Sequence, residues 1–436
     1  MVITIFLYIF IVAVILKLLA DAYYVAVSYD ELHQEIDYKV DKNVNILILI
    51  PVLREQHIIE KTLEHFKTLE LENITLKIVI AGTSREKKSL AKDDVSTKDV
   101  VNLWIAENTT ENAISYEYVE VIEEKGDRAS QLNFAVKNIS EKFSPSIIGV
   151  YDADSLPDRM TLLEVAANYN SNPDTILQQP VHFITAANRM SRQGKNPLLV
   201  ANAMYQTDWT VIRELSRWSS HFKFTKRYSG KIYMRNDYLI GHGEFIPYEI
   251  YKKYEFPEME VTDGIQLGYR ISMGGEKIKP LHTFCVDDVP QEVGQLIHQH
   301  KRWFGGCNRL YQAYSWSKNN TGRASFIQVI DGYWSQLSWA YAAVCALIAL
   351  SFAVFKALNG SNVFLIVIVC LLMLYCYLVP WVSQKVIGVK AEIRFIDWLC
   401  MPLAIALKGI GPNLYLIERF GSILFNKEMQ YKKVER

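Results

Sequence analysis
The chain is apolar at its ends and mixed in the middle. Between Val2 and Ala20 only Thr4 and Lys17 are polar, and such a run is long enough for a bilayer, which takes about 20 residues of helix. Trp334–Phe355 and Val363–Val382 are long enough as well. A cleaved signal peptide fits the first run less well, because no Lys or Arg precedes it. The expected product is a multi-pass membrane protein with a large middle region outside the bilayer, and 436 residues leave room for two or three domains. Lys+Arg and Asp+Glu stand at 47 each, so no net field points to nucleic acid.

The loop after Val382 carries Lys385, Lys390 and Arg394 against Glu392, which suits a cytoplasmic position. The last apolar segment, Phe395–Phe420, is interrupted by Lys408, Gly409, Gly411 and Pro412. As a span it would hold Lys408 near the bilayer centre, at about 2.5–3.5 kcal/mol. It would also send Lys427, Lys432, Lys433 and Arg436 outside, so an in-plane or broken helix is the better expectation. The six cysteines show no Cys-x-x-Cys or His/Cys spacing suited to zinc, and are read as reduced thiols.

The middle region alternates. Asp30–Asn43 reads as a linker, and Val44–Ile50 as a buried strand stopped by Pro51. Ile58–Leu69 has helical spacing, Leu76–Ala81 is a second strand ending at Gly82-Thr83-Ser84, and Ser84–Asp99 is charged loop or surface helix. Tyr116–Val121, Gln131–Ile139 and Ile147–Tyr151 continue as strand, helix, strand. Such alternation predicts an α/β fold with a mostly parallel sheet, whose ligands bind at the carboxyl ends of the strands. Pro51–Gln56, Gly82-Thr83 and Asp152–Asp154 all fall on that rim.

Asp152-Ala153-Asp154 puts two carboxylates on one side of extended backbone, an arrangement suited to a hard divalent cation that shares its ligands with a diphosphate. Alone, the pair reads as readily as a polar turn. Ile240–Ile246 sets His242 and Glu244 beside Gly241 and Gly243, an approach for a ligand or a tight turn. Glu258, Glu260 and Asp263 precede the helix-like Ile265–Ile271, where an Asp is often only a cap. Gln295–Arg309 is a solvated basic helix or a diphosphate clamp with an aromatic platform, and Asp287-Asp288 reads equally well as a loop.

Taken in order, five segments resemble the family-2 glycosyltransferases, in particular the membrane-embedded branch of cellulose, chitin and hyaluronan synthases. They are Pro51-Val52-Leu53-Arg54-Glu55, Lys125-Gly126-Asp127-Arg128-Ala129 with Leu132-Asn133, Asp152-Ala153-Asp154, Thr262-Asp263-Gly264, and Gln299-His300-Lys301-Arg302-Trp303, which matches Gln-x-x-Arg-Trp. The resemblance covers roughly Val44 to Leu310 and the flanking spans. It implies a GT-A (Rossmann-like) nucleotide-sugar transferase at 44–320, behind a span at 1–27 and a linker at 28–43. After it come a connector at 321–333, two spans at 334–383, and a basic loop with a broken segment and tail at 384–436.

The same resemblance implies an inverting, metal-dependent hexosyltransferase with Mg2+ or Mn2+. It would move sugar from a UDP donor to a growing polysaccharide at the cytoplasmic membrane face; a single addition to a lipid acceptor is the alternative, and a non-catalytic scaffold a weaker one. Asp263 is then the base and Asp154 the metal ligand. Pro51, Glu55, Lys125, Asp152, Gln299 and Arg302 hold donor and diphosphate, while His242, Glu244, Thr262 and Trp303 face the acceptor. Membrane lipids surround the spans, and a second copy or an export partner completes a path for any polymer. One departure stands out: where the family has an Asp pair near uracil, this chain has Ile80-Ala81-Gly82-Thr83-Ser84, leaving base recognition to backbone and Thr83.

Overall fold
The computed structural model describes residues 1–436 except 87–93, 109–113, 123–126, 229–230, 261 and 426–436. Its centre is a seven-stranded sheet. In chain order the strands are β1 (Val44–Pro51), β2 (Ile74–Thr83), β3 (Ile114–Val121), β4 (Ile147–Val150), β5 (Thr175–Gln178), β6 (Glu244–Pro247) and β7 (Lys277–Pro280). Their spatial order is β3-β2-β1-β4-β6-β5-β7. β1 pairs in parallel with β2 and β4, β2 with β3, and β5 with β7. β6 runs antiparallel between β4 and β5. The expectation of a mixed α/β chain with a mostly parallel sheet is met.

The apolar strands follow from a sheet covered on both faces. Ile46, Ile48 and Ile50 of β1 enter one core with Ile59, Leu63 and Phe66, while Leu47 and Leu49 enter the other with Leu132, Val136 and Leu267. All five β1 residues are fully buried. From β1 the chain winds out through β2 and β3, then returns to the opposite side of β1 as β4. Such a reversal opens a crevice at the carboxyl ends of the central strands.

The helix Arg128–Phe143 starts earlier than its apolar spacing indicates, because Asp127 caps it by accepting from the Ser130 amide at 2.9 Å. The first helix, Val2–Leu32, runs into the stretch expected as linker. It is held there by Ser28, which donates to the Val211 carbonyl at 2.6 Å, and by Glu31, which accepts from Ser219 at 2.6 Å. A helix at Thr97–Asn108 falls partly in the charged stretch read as loop or surface helix.

Among the described residues, three helices are long and apolar enough to cross a membrane: Val2–Leu32, Phe326–Leu358 and Val363–Ile387. The last segment is divided into Phe395–Leu399, Met401–Leu407 and Ile410–Phe425.

Candidate active site
A cavity of about 410 Å³ occupies the crevice. Pro51, Leu53 and Glu55 reach it from the turn after β1, Thr83 and Arg85 from the end of β2, and Asp152 and Asp154 from the end of β4. The Asp-x-Asp turn is pinned from behind: Thr62 donates to the Ala153 carbonyl at 2.5 Å, and the Ser155 amide to the Asp152 carbonyl at 3.1 Å. Arg54 in the first turn has φ 60°.

The opposite wall is made by two helix ends in close contact. Asp263 is the first residue of helix Asp263–Gly274, and Gln299, Arg302 and Trp303 lie on one face of helix Val293–Cys307. A Cβ on Gly306 would stand 1.7 Å from the Thr262 hydroxyl, so the missing side chain is what lets Thr262 pack there. Gln266 donates to the Gly306 carbonyl at 2.8 Å and locks the pair. Gln299, His300 and Lys301 are all buried, which removes the reading of this stretch as a solvated basic helix.

His242 enters from the turn that immediately precedes β6. That turn is fixed by the Gly243 amide donating to the Val150 carbonyl at 2.7 Å and by Gln178 donating to the His242 carbonyl at 2.9 Å. Gly241 has φ 90°, and a Cβ on Gly264 would come within 2.2 Å of its Cα. Two glycines are therefore needed for Asp263 to approach the turn.

At the centre is Arg128, the first residue of its helix. It donates to Asp263 Oδ2 at 2.6 Å, to Asp152 Oδ1 at 3.2 Å, and to the Gly241 carbonyl. Burial alone would lower its pKa, but the carboxylates of Asp263, Asp152 and Glu244 outweigh that and hold the guanidinium charged. Sequence reasoning quoted Arg128 inside a motif without giving it a role. Its position immediately after a helix-capping Asp was the available signal.

Of the site residues expected from sequence, Asp263, Pro51, Glu55, Asp152, Gln299, Arg302, His242, Thr262, Trp303 and Asp154 line this one cavity. Lys125 lies outside the described residues. Glu244 does not line the cavity: it is fully buried beneath Arg128 and Gly264, and burial pushes its carboxyl up to about 8.

Asp287 and Asp288, read from sequence as equally well a loop, also line it. A three-stranded sheet of Leu156–Pro157, Cys285–Val286 and Val181–His182 carries them to the Asp-x-Asp turn. His242 Nε2 is 3.3 Å from Asp287, and the Cys285 thiol donates to Asp287 at 3.3 Å. Burial, then the Asp287 charge, pushes that thiol well up, so it stays S–H. The cavity thus offers carboxylates and an imidazole, a donor set for a hard divalent cation rather than a thiolate site.

No known protein-family profile matches this sequence, and no curated protein sequence does. Among solved structures the chain is similar to the mannosyltransferase PcManGT from Pyrobaculum calidifontis, solved with GDP-Man and Mn2+. The TM-score is 0.54 at 15% identity, over 93% of this chain and 99% of that one. That likeness places the chain in the same fold class, an α/β glycosyltransferase-type fold. Looser matches are S. aureus TarS (TM-score 0.38, 10% identity, 69% of this chain and 43% of that one) and its residues 1–349 with UDP-GlcNAc (0.36, 10%, 90% and 98%).

Proposed function
We propose that the chain is an inverting glycosyltransferase of GT-A type. It takes a sugar from a nucleoside-diphosphate donor and delivers it to a saccharide hydroxyl at the cytoplasmic face of the membrane, with 44–320 as the transferase domain. The observation that carries this is the gathering of Asp152, Asp154, Asp263, Gln299, Arg302 and Trp303, from three distant parts of the chain, onto one cavity at the sheet's switch point. The five-segment resemblance supports the same reading.

Asp263 accepts the proton of the attacking hydroxyl. Arg128 fixes Asp263 and Asp152 relative to each other through one planar guanidinium. Arg302 adds a second fork toward the phosphates, Gln299 presents its amide, and Trp303 offers an aromatic face to a sugar ring. Asp154, with Asp152 and the neighbouring Asp287, would hold Mg2+ or Mn2+, which supplies Lewis-acid neutralisation of charge on the departing diphosphate. Thr83 and Arg85 line the cavity at the end of β2, where the resemblance puts the nucleobase. UDP is the donor nucleotide implied by the resemblance, and GDP, carried by the PcManGT complex, is its competitor.

A growing polysaccharide is the first acceptor reading. A glycolipid acceptor is the second, favoured by an adjoining cavity that runs from Trp303 to the helix Phe326–Leu358. Radiolabelled UDP- and GDP-sugars offered to purified protein, with products sized on a gel, test both. Asp263→Asn keeps the shape and removes the base, so transfer should fall about 10²–10⁴-fold while donor binding persists. Wild-type transfer in that variant would overturn the assignment.

A further inference from the structure
Behind the donor cavity lies a second one of about 170 Å³, sharing Phe183, Gln206, Ile240, His242, Ile265 and Trp303 as common wall. Its lining joins broad aromatic faces, among them Trp209, Tyr238, Tyr269 and Trp339, to buried polar atoms. The side-chain atoms Gln206 Nε2, Asn236 Oδ1, His300 Nδ1 and Gln336 Oε1 have no hydrogen-bond partner among the described residues, and all four residues are less than one-tenth exposed. Unpaired buried polar atoms are costly and scarce in native proteins. Here they stand beside aromatic faces, and a sugar ring satisfies both, with hydroxyls for the one and C–H faces for the other.

A third cavity of about 40 Å³ continues from the second, with Tyr205, Trp209, Ser335, Trp339 and Lys408 as common wall. It opens among the three apolar helices and is lined by Lys17, Arg213 and Lys408. Each cation lies over an aromatic ring: Lys408 is 4.4 Å from the Tyr205 centroid, Lys17 5.1 Å from Tyr375, and Arg213 5.7 Å from Trp209. The acids facing them are Asp21, paired with Lys17, and Asp208, which accepts from Ser383. Burial pushes Asp208 up to about 7 and Lys408 down to about 7, and by formal charge the three cations face two acids. In the second cavity Glu214 accepts from Thr210 and Tyr238 at 3.1 Å each, and Arg217 donates to the Asn236 carbonyl at 2.8 Å.

We infer that the acceptor is a saccharide carried on a lipid through a phosphate or diphosphate. Its anionic linkage rests against Lys17, Arg213 and Lys408, its sugar fills the aromatic cavity, and its free hydroxyl reaches Asp263. This rests on the glycosyltransferase reading and names its acceptor. The three cavities stand in the order such a molecule requires, from lipid to anion to sugar to donor. A neutral glycolipid or a free polysaccharide leaves the extra cation among the apolar helices without a counter-charge. In the transfer, the acceptor oxygen bonds to the anomeric carbon as the bond from that carbon to the diphosphate oxygen breaks. The electron pair leaves with the diphosphate, and the hydroxyl proton goes to Asp263.

The test uses the full chain in phosphatidylcholine nanodiscs and follows quenching of tryptophan fluorescence. The probes are dodecyl diphosphate carrying glucose, neutral dodecyl glucoside, and inorganic diphosphate. The charged probe should bind at least about tenfold more tightly than the glucoside, and excess inorganic diphosphate should not displace it. In the Lys17→Gln/Lys408→Gln variant the preference should fall below about threefold. Equal affinity for the two alkyl probes, displacement by inorganic diphosphate, or a preference that survives the variant each overturns the inference. The wild-type comparison decides even where the variant does not fold. Turnover of the nucleotide sugar, measured separately, distinguishes the two claims: turnover without the charge preference defeats this inference alone, while no turnover with any acceptor defeats the glycosyltransferase reading.

Discussion
Glu244 offers a direct check on the electrostatics of the site. It lies on β6 with no exposed surface, packed against Gly264 and facing Arg128. Burial raises its carboxyl from 4.5 to about 8; Arg128 pulls the other way, and Asp263 and Asp152 add to the rise. Between these values the native protein holds a proton that the unfolded chain has released, so stability falls as pH rises from about 4.5 and levels off above about 8. The full range corresponds to about 5 kcal/mol, and the interval from pH 6 to 8 to about 2 kcal/mol. For a cooperative unit of this size that is about 4 °C in thermal midpoint. Glu244→Gln fills the same space and does not titrate. Midpoints followed by intrinsic fluorescence at pH 6, 7 and 8, in one detergent, should therefore fall about 4 °C further in wild type than in the variant. Every other titrating group is common to both proteins and cancels. Parallel curves would mean that Glu244 is ionised in the native state and that Arg128 wins over burial.

Other perturbations read other parts of the site. Arg128→Met removes three hydrogen bonds at partly exposed carboxylates and a carbonyl; it should cost about 2 kcal/mol in denaturant unfolding and about 10²-fold in transfer rate through lost positioning, with Arg128→Lys between. Equal activity of the Met variant would remove Arg128 from the mechanism. Gly264→Ala places a Cβ 2.2 Å from Gly241 Cα, a backbone clash that no rotamer relieves. A loss of about 3 kcal/mol is expected, and an unchanged midpoint would show that the two turns are not held as described. With nucleotide present, Mn2+ near a hundred times its Kd should stabilise wild type by about 2.7 kcal/mol and Asp154→Asn much less, read by thermal shift; equal stabilisation would move the metal away from Asp154.

The sheet was legible because β1, β2 and β4 are apolar runs ended by Pro51, Gly82-Thr83 and Asp152, and composition alone marks a strand buried on both faces. The antiparallel insertion of β6 was not, since Glu244-Phe245-Ile246-Pro247 is short and its buried acid resembles a turn residue. The helix at Thr97–Asn108 was hidden by flanking charge, although Thr97, Val101 and Trp104 form its buried stripe. Asp152, Asp154, Asp263 and Gln299–Trp303 were singled out by the resemblance of five segments taken in order, each weak alone, and the fold brings them to one cavity. Arg128 and Asp287 were harder: one guanidinium reaching segments 24 and 135 residues away, and an acid delivered by a two-residue strand, leave no periodic trace.

The division into a transferase domain and separate membrane helices, natural from hydropathy, has a further limit in the last segment. Ile410–Phe425 packs on the helix carrying Gln299, Arg302 and Trp303 so tightly that a Cβ on Gly411 would stand 2.6 Å from the Lys301 amide nitrogen. Lys301 pairs with Glu418 across that contact. The same segment is tied to Phe326–Leu358: Trp339 donates to the Lys408 carbonyl at 2.9 Å, and Asn413 donates to the Ala340 carbonyl at 2.8 Å. From the other side Lys408 donates to Tyr205, on the helix Pro197–Trp209 that also lines the second cavity. A spanning helix could not make these contacts and expose its length to lipid as well. The break at Lys408-Gly409 is therefore what lets an apolar segment serve as a buttress between the helix carrying Gln299, Arg302 and Trp303 and the apolar helix Phe326–Leu358. Because protein interiors are close-packed and transmit displacement, a shift of Phe326–Leu358 must move Arg302 and Trp303 with it.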